Sequence, residues 1–211
     1  MTLAAVGLAC VRGELELFSG LHFSVEPGDA LRVGGSNGAG KTSLLRILSG
    51  LAAPTEGEVH WNGRDIRRQR EEFHAGLLWL GHANGVKDDL LAWENLVVST
   101  TLDGRPATRD AAIEALEQLG LGRAADLPTR SLSQGQRKRV ALARLSLVSD
   151  AALWILDEPF TALDVAAVDA LCGTIGRHLQ RGGMVIYTTH QDVKLDARRV
   201  RTLDMNRGAP C

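Results

Sequence analysis

The stretch GSNGAGKT, residues 35–42, constrains this chain more than any other. It fits G-x-x-x-x-G-K-[ST], a spacing that carries meaning only where a strand turns sharply into a helix. The flanks supply that context. DALRVGG reads as a strand running into the glycines, and KTSLLRILSGL carries apolar residues at helical spacing up to Gly50. Glycines let successive backbone N–H groups curl round an anion with no Cβ in the way. Gly35, Ser36, Asn37, Gly38, Ala39, Gly40, Lys41, Thr42 and Ser43 are the expected phosphate cradle. Lys41 would reach the β- and γ-phosphates of a bound nucleoside triphosphate, and the Thr42 hydroxyl would ligate Mg²⁺.

ALWILDEP supplies the second half of such a site. It is a continuous apolar run of the kind buried in a parallel sheet, and it ends in two carboxylates. The carboxyl edge of an open α/β sheet is where ligands bind. There Asp157 would hold Mg²⁺ through water, and Glu158 would polarise an attacking water. Two adjacent carboxylates at a buried strand end repel unless a cation offsets them. The plainer alternative is a solvated strand end. His190 follows the next apolar run, MVIYTTH, where it could contact the γ-phosphate; alone, a histidine after a strand is more often a surface residue.

The order of elements bounds the rest. LHFSVEPGDALRVGG alternates apolar and polar residues about Pro-Gly-Asp and predicts a hairpin. GEVHWNGRDI predicts a strand closed by an Asn-Gly turn, and GLLWLG a buried strand. LLAWENLVVSTTL, RDAAIEALEQLGL and QGQRKRVALARLSLV all read as helices with no strand between them. The expected architecture is α/β: an N-terminal antiparallel portion, a parallel core over about 1–89 and 150–211, and an inserted helical subdomain over about 90–149. DVAAVDALCGTIGRHLQRGG between two apolar strands implies a right-handed parallel crossover.

The chain has 211 residues and a formal net charge of −1, which argues against a dedicated nucleic-acid binder. Cys10, Cys172 and Cys211 are scattered and odd in number, so they read as reduced thiols. Nowhere do about 18 apolar residues run together, so any membrane spans must come from other chains. The apolar opening MTLAAVGLACV lacks a positive flank and reads as a first buried strand.

SLSQGQRKRVALARL, residues 131–145, narrows the class. Small hydrogen-bonding residues run straight into a basic helix, a second phosphate-binding helix start in one small domain. LSQGQ resembles the LSGGQ signature of ATP-binding cassette (ABC) ATPases, and ALD at 162–164 follows the carboxylate strand as in that family. The resemblance implies an ABC-type P-loop NTPase that hydrolyses ATP with Mg²⁺. It also implies two cassettes paired head to tail, in which Ser133, Gly135 and Gln136 of one copy cap the ATP held by the other. Since the chain carries one cassette, the partner would be a second copy.

Three departures stand out. Gln134 replaces the first glycine of the signature. The region CVRGELE offers no aromatic residue for adenine, leaving Arg12 to stack its guanidinium there. His82 stands where the family carries a glutamine that senses the Mg²⁺ site, and it could ligate or hydrogen-bond in its place.

LLWLGHANGVK, WILDEPFTALDV and VIYTTHQ resemble the ATP-binding subunit of the haem exporter of cytochrome c biogenesis, as does the short tail after TTHQ. That likeness implies a peripheral protein on the cytoplasmic face of the bacterial inner membrane. Its partners would be the transmembrane permease subunits of the cytochrome c maturation complex. No direct haem binding is expected, since the six histidines are scattered. An ABC ATPase for another exported substrate, a soluble ABC ATPase acting on DNA or ribosomes, and a P-loop kinase are the alternatives.

Overall fold

The computed structural model describes residues 1–206, so Cys211 lies outside the described residues. The chain opens with strands β1 (Leu3–Arg12), β2 (Leu15–Val25) and β3 (Asp29–Gly34), then helix α1 (Lys41–Leu48). Strands β4 (Glu56–Trp61) and β5 (Arg64–Asp65), the short helix α2 (Arg70–Ala75) and strand β6 (Leu77–Leu80) follow. Three helices come next: α3 (Ala92–Leu102), α4 (Arg109–Glu117) and α5 (Gln134–Leu147). Strand β7 (Leu153–Leu156), helix α6 (Val165–Gln180) and strands β8 (Met184–Thr188) and β9 (Arg199–Asp204) complete it.

The strands form two sheets. One is antiparallel, in the order β2-β1-β4-β5; the other is parallel, in the order β6-β7-β8-β3-β9. Period-2 alternation explains how the parallel sheet is buried on both faces. Trp154 and Leu156 of β7, with Val185 and Tyr187 of β8, join a cluster that includes Leu96 of α3, Leu116 of α4, Leu142 of α5 and Ile175 of α6. Their neighbours Leu153, Ile155, Met184 and Ile186 join the opposite cluster, with Leu44 and Leu48 of α1 and Leu8 and Trp61 of the antiparallel sheet. No helix among the described residues is long and apolar enough to cross a membrane.

The expected hairpin across Pro27-Gly28-Asp29 does not form. β2 pairs antiparallel with β1, whereas β3 enters the parallel sheet between β8 and β9. Gly28, at φ 82°, takes the chain from one sheet to the other, and its N–H donates to the Gly183 carbonyl at 2.8 Å. Burial decides against the hairpin: Ala30, Leu31 and Val33 are covered on both faces, which a one-sided antiparallel sheet does not provide. The Asn62-Gly63 turn does form, with both residues at positive φ (53° and 78°) as a tight hairpin turn requires. Strand β9 and helix α2 went unanticipated. β9 is held beside β3 by a buried carboxylate, Asp29, which accepts from Arg199 at 2.9 Å and Arg198 at 3.1 Å. Burial pushes that carboxyl up, but the two guanidiniums outweigh it and hold it below the usual range.

On the helix-covered face, His178 of α6 stacks on Trp154 with ring centroids 3.8 Å apart and planes 5° from parallel. Burial of the ring depresses its pKa from 6.5 to about 4. The unfolded chain binds this proton more readily than the folded one. Its contribution to stability is therefore complete above pH 6.5 and is lost as pH falls toward about 4. His178→Phe keeps a flat ring on Trp154 without a titrating group. Thermal unfolding followed from pH 7 to about 4 should show a flatter melting-temperature profile for this variant than for wild type.

Candidate nucleotide site

The phosphate loop leaves β3 at Gly34 and enters α1 at Lys41. Gly35, Gly38 and Gly40 adopt φ of 137°, 84° and 89°, backbone that side chains disfavour. Gly40 is also pressed by its surroundings, since a Cβ there would lie 3.0 Å from Leu17 Cβ and 3.2 Å from Phe18 Cδ1. As the residue before α1 it offers no side-chain cap, so the first N–H groups of the helix are left for an anion. Lys41 Nζ donates to the Gly35 carbonyl at 2.8 Å and the Ser36 carbonyl at 3.0 Å, folded back along the loop.

Three lengths of chain meet on Asp157, which is 3% exposed. Its Oδ2 accepts from Thr42 Oγ1 at 2.9 Å and its Oδ1 from Thr188 Oγ1 at 2.7 Å. The same Thr188 oxygen accepts the Glu158 N–H at 2.8 Å, which helps to hold Glu158 at φ 49°. Glu158 Oε2 accepts from Thr161 Oγ1 at 3.3 Å. Glu158 Oε1 is shielded from solvent without a hydrogen bond, 3.5 Å from His190 Nε2. A buried, unsatisfied carboxylate oxygen is a costly feature, of the sort a site keeps for its ligand.

These groups border one open cleft of about 510 Å³, lined by Leu17, Asn37, Lys41, Thr42, His82, Asp157, Glu158, Thr161 and His190. Its oxygen donors, the Thr42 hydroxyl and the Asp157 carboxylate, suit a hard cation such as Mg²⁺, which keeps several waters and takes few protein ligands. No group of three His, Cys, Asp or Glu side chains among the described residues is arranged to hold a metal by itself. His82 is exposed and lines the cleft. Arg12 is exposed at the end of β1, paired with Leu15, and is not among the lining residues; Leu17 borders the cleft on that side. Sequence reasoning missed Leu17, Thr161 and Thr188. The two threonines ending MVIYTT were the available signal for Thr188, whereas nothing in the pattern marks Leu17.

The second helix start is equally well built. Ser133 accepts from the Gln136 N–H at 3.2 Å, and Gln136 Oε1 accepts from the Ser133 N–H at 2.8 Å, a reciprocal capping box. Gly135 lies against the loop after β7, where a Cβ would sit 2.7 Å from the Ala162 carbonyl oxygen. Gln134, by contrast, is exposed. None of Ser133, Gln134, Gly135 and Gln136 lines the cleft that holds Lys41 and Glu158.

A glycine-rich loop at a strand–helix junction, adjacent carboxylates just past β7 of the same parallel sheet and a second capped helix start outside the cleft define an ATP-binding cassette. The ABC transporter family profile matches residues 18–161, and the chain belongs to that family. Within it, the chain is 54% identical over 201 residues to the cytochrome c biogenesis ATP-binding export protein of Dechloromonas aromatica, covering 95% of this chain and 98% of that one. The protein of the same name from Nitrosomonas europaea is also 54% identical over 201 residues, covering 95% of this chain and 94% of its own. The fold is similar to that of the dimeric, post-hydrolysis cassette MJ0796 bound to ADP and Pi, with TM-score 0.81, 24% identity and coverage of 98% and 95%.

The contact at Gly135 separates two neighbouring positions. Gly135→Val should cost about 1–3 kcal/mol through overpacking against backbone, a fall in melting temperature of roughly 2–4 °C per kcal/mol. The exposed Gln134→Ala change should stay within about 0.5 kcal/mol. Thermal unfolding of the two variants side by side checks the difference.

Proposed function

We propose that this chain is the ATP-hydrolysing subunit of an export complex in cytochrome c biogenesis, acting as a head-to-tail pair of copies against transmembrane permease subunits. The observation that carries this reading is the separation described above: one chain builds two phosphate-binding helix starts, and only one borders its own cleft. A second copy turned end for end would bring its Ser133 and Gly135 to the open side of this cleft.

In that arrangement the triphosphate lies along Gly35 to Ser43, and Lys41 exchanges two loop carbonyls for phosphate oxygens. Thr42 and Asp157 would hold Mg²⁺, which would neutralise phosphate charge. Glu158 Oε1, shielded and without a hydrogen bond, is free to accept a proton from the attacking water, and His190 stands beside it at 3.5 Å. The partner's helix start favours a γ-phosphate by roughly 0.3–1 kcal/mol when exposed, up to about 2 when partly buried. That attraction lasts only as long as the γ-phosphate does, so hydrolysis releases the pair.

Likeness to the haem exporter's ATP-binding subunit supports a peripheral place on the cytoplasmic face of the inner membrane. ATP turnover there would drive haem delivery to the periplasm, with haem handled by the membrane partners. His82, on the cleft rim, stands where the family's coupling glutamine would be. Loss of c-type cytochromes on deletion, with recovery of permease subunits in a pull-down from solubilised membranes, tests the pathway assignment.

Two experiments test the shared site. Glu158→Gln should bind ATP but lose turnover by at least about 100-fold, and should run as a dimer on size exclusion when ATP is present. Lys41→Ala and Ser133→Arg should each be inactive alone, while their mixture should regain part of the activity because one composite site is intact. Absence of any recovery on mixing would rule out shared sites.

A further inference from the structure

Of the side chains that border the cleft beside Glu158, His190 does least to fix its own position. Its imidazole is largely exposed, and its contact among the described residues is the 3.5 Å approach to Glu158 Oε1. The place of the ring is therefore set by the backbone on either side of it. That backbone has little support from regular structure, because residues 189–198 form neither helix nor strand between β8 and β9. Side-chain ties have to take over.

On the near side the tie is Thr189, which is buried. Its hydroxyl accepts the Gln191 N–H at 3.0 Å, and its carbonyl accepts from Arg32 Nη2 of β3 at 3.4 Å. On the far side it is Gln191, whose Nε2 donates to the Phe160 carbonyl at 3.1 Å. A carbonyl only accepts, so the amide nitrogen has to be the atom that faces it.

Phe160 makes a firm anchor. It is fully buried, and its ring meets that of Tyr187 in β8 edge to face, with centroids 6.3 Å apart and planes at 77°. It also lies two residues past Glu158 in the chain. The segments 157–160 and 188–191 are thus stitched together twice. Thr188 joins Asp157 and the Glu158 N–H at one end, and Gln191 joins Phe160 at the other. Glu158 and His190 face each other between the stitches. Gln191 is itself exposed, so its bond adds little to the stability of the whole fold. Its effect is local: without it, His190 would adjoin an irregular connection fastened on one side only.

We propose that Gln191 is a positioning residue for hydrolysis: by tying the chain after His190 to the Phe160 carbonyl, it keeps the imidazole against Glu158. The kinetic consequence rests on the ATPase reading, whereas the tie itself does not depend on nucleotide.

The test uses the full chain with Gln191→Met, which keeps the length and loses the donor, and Gln191→Ala, which loses both. Each should melt within about 2 °C of wild type, as exposed substitutions do. In ¹⁵N relaxation without nucleotide, the order parameter of the His190 amide should drop from about 0.85 toward about 0.6 in both variants. In ATPase assays both should lose at least about threefold in kcat, the scale of one hydrogen bond, with KM for ATP within about twofold. In a His190→Ala background, Gln191→Ala should change the residual kcat by less than about 1.5-fold, because the residue through which it acts is gone. An unchanged His190 order parameter, wild-type kcat in Gln191→Ala, or an equal loss with and without His190 would overturn the proposal. A wild-type chain that hydrolyses no ATP would defeat the ATPase reading instead, and the relaxation measurement would still decide the tie.

Discussion

The carboxylate of Asp157 is where the parts of this protein are joined. Thr42 reaches it from the helix after the glycine loop, Thr188 from the next strand of the sheet, and Glu158 follows it in the chain. Each hydroxyl bond alone is modest, about 1–3 kcal/mol when the acceptor is charged. Together they set the glycine loop and Glu158 in one frame. The strands beneath are buried on both faces, so the frame cannot drift relative to the core. Geometry at the cleft is thus inherited from packing several residues away.

That packing also explains why the helices between β6 and β7 matter to the cleft. Leu96, Leu116 and Leu142 share a buried cluster with Trp154, Leu156 and Tyr187 from the strands that end at the site. Apolar side chains on one face of β7 and β8 lean on helices whose far ends reach the protein surface. The other face leans on α1 and the antiparallel sheet. A disturbance in either layer is felt by the same two strands.

Much of this was readable in the sequence, for identifiable reasons. The glycine loop, α1, β7, α6 and β8 announce themselves because their side-chain periods are set by local burial and their ends by glycine. β2 and β3 were misjoined because alternation reports that a segment is extended and says nothing of which strand it will pair with. The covering of β3 on both faces, seen in Ala30, Leu31 and Val33, was the better clue. β9 carries two arginines and looks like surface; its pairing with β3, the buried Leu203 and the buried Asp29 that takes Arg199 hold it in the sheet. Leu17 is invisible for a related reason, since its importance comes from what folds against it.

The close approach of Gly135 to the Ala162 carbonyl leaves no slack between the start of α5 and the loop that descends from Glu158. In the proposed pair, the surface met by a second copy and the wall of this copy's own cleft would be close-packed neighbours. Two such copies would meet and separate as unyielding bodies. Whatever loosening follows loss of the terminal phosphate must then be absorbed at the seam between them, and it would reach a membrane partner as displacement of a whole subunit.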